Sequence, residues 1–179
     1  GQRTAVRRIA TTAKYDAPIE TILELAKKQS LNTGLVTTAV ITDATPASFA
    51  AHVTNRYCMK PGDAPCEGDI SIIEQMIDLD IDILLGGGER LLPAIRDGKT
   101  IEQIAANKGY TIFRDRGELL NVNTDNDNEK LWGIFSDYHM PVEWQGHGGR
   151  MPKKLEAGGG VLEFFKDDNN VIFPEARAC

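Results

Sequence analysis

Asp43 and Thr45, two residues apart, close an apolar run and stand immediately before Pro46. The run Leu35-Val36-Thr37-Thr38-Ala39-Val40-Ile41 is rich in β-branched side chains and reads as a buried strand. Thr42-Asp43-Ala44-Thr45 then switches to oxygen-bearing side chains ahead of a proline suited to the first turn of a helix. Ligand groups in α/β proteins gather at the carboxyl ends of strands, so these oxygens can hold a hard cation. Arg56, at the far end of the expected helix, offers a planar fork matched to phosphate. Structural roles fit the same residues: Thr45 as a helix N-cap, Asp43 as a partner of the helix dipole, Arg56 solvated or bound to the last carbonyls. If residues 45–56 formed one straight helix, its ends would lie roughly 16 Å apart. A shared site therefore requires a short or bent helix, with Asn55 and the residues before Cys58 as places for the bend.

The elements that must carry these groups alternate. Ile19, Ile22, Leu23 and Ala26 recur at helical spacing after Asp16-Ala17-Pro18, with Lys27 and Lys28 at the end that favours cations. Asn32-Thr33-Gly34 stops that helix before the strand. A helix over residues 69–79, a strand over 82–85, a helix over 101–107, a strand over 110–113 and a strand over 130–135 follow. This is α/β order. Gly86-Gly87-Gly88 fits neither a dinucleotide fingerprint nor a P-loop, and reads as a tight turn at a strand end. Val161-Leu162, Phe164-Phe165 and Val171-Ile172-Phe173 predict ordered strands or a packed loop within a loop-rich stretch over residues 145–179.

Composition excludes some functions. The formal net charge of −6 over 179 residues disfavours broad nucleic-acid or anionic-membrane binding. No apolar stretch has the length of a membrane span, and no signal-peptide core follows the first residues, as expected of a mature chain or a cut piece. Cys58 and Cys66 enclose a turn-rich loop containing Pro61, Gly62 and Pro65, which permits a disulfide; two free thiols remain the alternative. His52 reads as a packed imidazole in the helix. Asp137, His139 and His147 match no recognised zinc spacing.

Thr42-Asp43-Ala44-Thr45-Pro46-Ala47, Ala51-His52-Val53-Thr54-Asn55-Arg56 and Cys58 resemble the alkaline phosphatase family, especially its bacterial members. Ile83-Leu84-Leu85-Gly86-Gly87-Gly88, Gly109-Tyr110, Gly133-Ile134-Phe135 and Met140-Pro141-Val142-Glu143-Trp144 agree in the same order, so the similarity covers roughly residues 18–144. The resemblance implies part of a three-layer αβα sandwich around a mixed, mostly parallel sheet, with residues 1–179 as one incomplete domain. It implies hydrolysis of phosphate monoesters by an enzyme using magnesium and zinc. Arg56 is then the phosphate-binding and transition-state residue, Thr45 a magnesium ligand, and Asp43 a group acting on that ion through water or directly.

The family's nucleophilic serine lies in Asp-Ser-Ala, and its zinc ligands in motifs such as Asp-His; neither pair occurs here. The chain is therefore expected to be an internal portion, inactive alone, with zinc ligands elsewhere. The resemblance further implies a Cys58–Cys66 disulfide, a partner for Cys179 beyond this chain, a periplasmic or secreted location, a homodimer when complete, and phosphate monoesters and inorganic phosphate as ligands. A noncatalytic anion-binding domain and a related phosphodiesterase or sulfatase are the competing readings.

Overall fold

A computed structural model describes residues 2–66, 69–122 and 129–140, together with the backbone of Phe164–Lys166 and Ile172–Pro174. Thr21 opens α1 (Ile22–Lys28) with a capping box: its N–H donates to the Glu24 carboxylate at 2.7 Å, and its hydroxyl accepts from the Glu24 N–H at 3.3 Å. Two orphan amides are thereby satisfied. β1 (Gly34–Val40) leads into α2 (Ala44–Ala47), which is only four residues long. α3 (Ile72–Asp78) buries Ile72, Ile73, Met76 and Ile77 on one face, each such side chain contributing about 1.5–3 kcal/mol.

β2 (Ile83–Gly87) is followed by a two-stranded ribbon, β3 (Ile95–Arg96) and β4 (Lys99–Thr100), turning through Asp97 and Gly98. Both turn residues have positive φ, 50° and 78°, as a hairpin of this kind demands. α4 (Ile101–Asn107) starts at a further capping box, Thr100 with Gln103. β5 (Tyr110–Phe113), α5 (Arg116–Leu120) and β6 (Lys130–Ile134) complete the main body, and β7 (Phe164–Lys166) pairs antiparallel with β8 (Ile172–Pro174).

The principal sheet has the order β1-β2-β6-β5, and all its strands run parallel. This is the α/β architecture expected, with helices flanking a parallel sheet. Trp132 in β6 is buried and meets Tyr110 of β5 edge-on, with ring centroids 6.3 Å apart. The Tyr110 hydroxyl donates to the Ile81 carbonyl at 2.6 Å, and burial, aided by Asp80 and Asp82, pushes its pKa far up. At the amino ends of the strands, Asp82 accepts from the Thr33 N–H and hydroxyl and from Lys27, tying α1, β1 and β2 together.

Gly87 shows why the glycine run is there. A Cβ at that position would stand 1.8 Å from the Tyr138 carbonyl oxygen, and Gly88 has φ 115°. The run thus serves close backbone approach as well as the expected turn.

The helix expected from residue 45 to residue 56 ends at Ala47 instead. Val53 forms an antiparallel bridge with Ile9, so the chain has already turned extended there, and His52 is not helical. The bend falls at residues 48–51 rather than at Asn55, because edge pairing to Ile9 and the bonds to Gln75 described below give the 52–53 backbone partners that a helix would have denied it. Trp144, His147, Cys179 and most of the region 145–179 lie outside the described residues.

Candidate functional site

β1 delivers its last residues to the carboxyl edge of the sheet, where the Ile41 N–H donates to Gly87 and the Asp43 N–H to Val40, at 3.0 and 2.8 Å. Asp43, not Thr45, is the N-cap of α2: its Oδ1 accepts from the Ala44 N–H at 2.8 Å. A carboxylate there is favoured by the exposed amides of the helix start. Thr45 falls within the first turn, exposed, and its hydroxyl makes no hydrogen bond among the described residues.

The return path places Arg56. His52 has its N–H and carbonyl both taken by the Gln75 side-chain amide, at 2.8 and 2.9 Å. Its ring lies between two acceptors, the Ala10 carbonyl at 2.9 Å from Nδ1 and the Glu24 carboxylate at 3.1 Å from Nε2. The packed structural role expected for His52 holds, although the residue lies outside a helix. Ile9 and Val53 exchange backbone bonds of 3.0 and 3.1 Å, the Thr54 N–H and hydroxyl donate to Asp69, and the Arg56 N–H donates to the Arg7 carbonyl at 2.6 Å.

So held, Arg56 extends its Nη2 to Asp43 Oδ1. The short helix brings together the two groups that one long helix would have kept apart. Arg56 Nε is buried without a partner, as is the Thr42 hydroxyl beside the site. An unpaired buried donor is costly, so Arg56 Nε is held at an energetic cost. Cys58 and Cys66 form a disulfide, with Cα atoms 4.7 Å apart, two residues beyond Arg56.

Asp43 Oδ1 is occupied by Ala44 and Arg56, while Oδ2 and the Thr45 hydroxyl are oxygens with no partner among the described residues. Hard oxygen donors suit magnesium. Among the described residues no group of three or more His, Cys, Asp or Glu residues could hold a metal. His139, considered earlier with Asp137 and His147, instead accepts the Val40 N–H on Nδ1 at 3.0 Å, which places the ring proton of the neutral form on Nε2. His147 lies outside the described residues.

Sequence reasoning missed Arg7 and Tyr57. The guanidinium carbons of Arg7 and Arg56 each lie 5.9 Å from the Tyr57 ring centroid. Tyr57 directly follows Arg56 and was visible, but nothing in the sequence announced that residue 7 would join it.

A family model described as "Alkaline phosphatase" matches residues 1–166. Streptomycin-6-phosphate phosphatase from Streptomyces griseus is 37% identical over 171 residues, covering 86% of this chain and 37% of that protein. The crystal structure of Thermus thermophilus alkaline phosphatase superposes with a TM-score of 0.63 at 31% identity, covering 79% of this chain and 27% of that one. A structure of a TAB5 alkaline phosphatase variant with Mg bound in its M3 site has a TM-score of 0.60 at 29% identity, covering 82% of this chain and 38% of that one. The chain spans about a third of the length of the curated relatives it matches.

Proposed function

This chain belongs to the alkaline phosphatase family, and we propose that it supplies the phosphate-gripping arginine and part of a magnesium site to an enzyme hydrolysing phosphate monoesters. The observation that carries this reading is the meeting of Arg56 with Asp43 at the carboxyl end of β1.

Arg56 commits one terminal nitrogen to Asp43, which fixes the plane of the guanidinium. The guanidinium N–H groups not spent on Asp43 are left to bind oxygens of a phosphate. As negative charge redistributes among those oxygens during transfer, a preorganised cation stabilises it without having to reorient. Asp43 thus does two things: its Oδ1 aims the arginine, and its Oδ2 is available to a water on a neighbouring cation. Thr45, two residues on, offers its hydroxyl oxygen as a direct ligand. Magnesium bound there would lower the pKa of a coordinated water or hydroxyl.

The nucleophile is assigned elsewhere. No Asp-Ser pair occurs in these 179 residues, and the matched relatives are about two and a half times as long. We therefore assign the attacking serine and the zinc ligands to other parts of a longer protein, and residues 1–179 to one incomplete α/β domain of it. The Cys58–Cys66 disulfide supports a periplasmic or secreted location, since such bonds persist in oxidising compartments. Among the described residues no helix is long and apolar enough to cross a membrane. A homodimer of the complete protein belongs to the same proposal, read by light scattering.

The test is an assay of the full-length protein with a chromogenic phosphate monoester, magnesium and zinc, beside the 179-residue chain alone. Turnover by the full-length protein that falls with Arg56→Ala, and none by the chain alone, is expected. A full-length protein that binds phosphate without turnover would reduce the role to anion binding.

A further inference from the structure

We propose that Arg7 and Tyr57 form a subsite beside Arg56 for the leaving group of phosphate monoesters that carry a second anionic group: a carboxylate, phosphate or sulfate. The inference rests on the phosphatase reading above and adds a substrate class to it.

Tyr57 is half-exposed, and both guanidinium groups lie within reach of its ring, at 5.9 Å each. The two cations are therefore no further apart than twice that distance, a span that a small disubstituted organic group can bridge. Their charges are not balanced alike. Arg56 has the Asp43 carboxylate, and Arg8 has Asp16, but Arg7 has no ion pair among the described residues. An exposed, uncompensated cation beside the phosphate-binding arginine is a local positive field in a chain of net charge −6. Arg56 is committed to the transferred phosphate, so a second anion is met by Arg7, with carbon atoms between the two laid on the exposed flank of Tyr57.

The backbone holds Arg7 there. Its φ of 68° lies in the left-handed region, which arginine does not favour, and the Arg56 N–H bonds to its carbonyl. The adjoining Ile9–Val53 bridge fixes the register. Because Asn tolerates that region better than Arg, Arg7→Asn removes the charge without straining the fold.

The full-length protein is assayed with phenyl phosphate and para-carboxyphenyl phosphate, as wild type, Arg7→Asn, Arg7→Lys and Tyr57→Leu. Arg7→Asn is expected to lower kcat/KM for the carboxylated ester about fivefold, chiefly through KM, with phenyl phosphate turnover unchanged. Arg7→Lys restores most of the loss, and the wild-type preference fades at high salt. Tyr57→Leu lowers kcat/KM for both esters. An identical ratio between the esters in wild type and Arg7→Asn overturns the proposal, as does a loss that lysine does not restore. If neither ester is turned over, the phosphatase reading fails separately, and the subsite is judged by calorimetric binding of para-carboxyphenylphosphonate against phenylphosphonate. An affinity difference abolished by Arg7→Asn upholds the subsite; no difference overturns it.

Discussion

Gln75 brackets His52: one side-chain amide accepts the histidine's N–H and donates to its carbonyl, 23 residues away in the chain. The arrangement acts as one rung of a sheet made by a side chain, and it turns the segment that ends in Arg56 back toward β1. Gln75→Leu leaves both backbone groups without partners and should cost about 2–3 kcal/mol, measured by urea denaturation. Gln75→Glu keeps the acceptor but sets a carboxylate oxygen against the His52 and Ile70 carbonyls, so it should not rescue the loss.

Arg56→Ala should weaken inorganic phosphate binding in the full-length protein about 10- to 100-fold and lower turnover, since hydrogen bonds to charged groups are worth roughly 1.5–3 kcal/mol. Arg56→Lys should recover only part, because an ammonium cannot hold Asp43 and two phosphate oxygens with one planar fork. Calorimetric titration with phosphate reads both.

Asp43 and Thr45 separate by their partners. Thr45→Val should shift the magnesium titration and leave phosphate affinity nearly unchanged, since Thr45 touches no phosphate-binding group among the described residues. Asp43→Ala should move both, because Asp43 also aims Arg56. Phosphate affinity unaltered in Asp43→Ala would show that the arginine needs no such support.

Cys58→Ser should destabilise the fold by about 2–3 kcal/mol for a loop this short, and the loss should match that caused by adding reductant to wild type. Thermal unfolding with and without reductant makes the comparison. Unreduced peptide mass spectrometry should show the two cysteines joined.

Glu24 predicts a pH dependence. Burial by itself would raise its pKa, but the Thr21 N–H, His52 and the Thr21 hydroxyl outweigh it and hold the carboxyl below its ordinary 4.5. A group depressed in this way stabilises the fold above its unfolded pKa, and the benefit disappears as pH falls through the folded one. Glu24→Gln should therefore be less stable than wild type at neutral pH, with the difference shrinking as pH falls below 4.5 and through the folded pKa, as urea midpoints would reveal.

Much of the fold was legible where local chemistry and burial agreed. Residues 101–107 and 110–113 were read at their observed bounds, because Thr100 with Gln103 opens the helix and Gly109, at φ 89°, closes it before a β-branched run. The hairpin at Asp97-Gly98 carried the strongest of turn signals and was still missed, since its strands are two residues each. α5 was missed because it contains Gly117 and buries no residue. The site was legible in its residue types, with Asp43, Thr45 and Arg56 all named, but its geometry was not. Where the helix ended depended on Gln75 and Ile9, whose contacts with residues 52 and 53 are tertiary and leave no mark near Pro46. Arg7 was invisible for the same reason.

The strand order has a consequence for how this chain is made. Among the described strands of the principal sheet, β6 is the last to leave the ribosome, yet it sits between β2 and β5, both synthesised earlier. Until residues 130–134 emerge, β5 has no partner among the described strands and β2 keeps one edge open. Nascent chains halted before residue 130 would thus display two unsatisfied strand edges and the unfilled place of Trp132. Such species offer templates for mispairing, so chaperone dependence should drop sharply once β6 clears the exit tunnel.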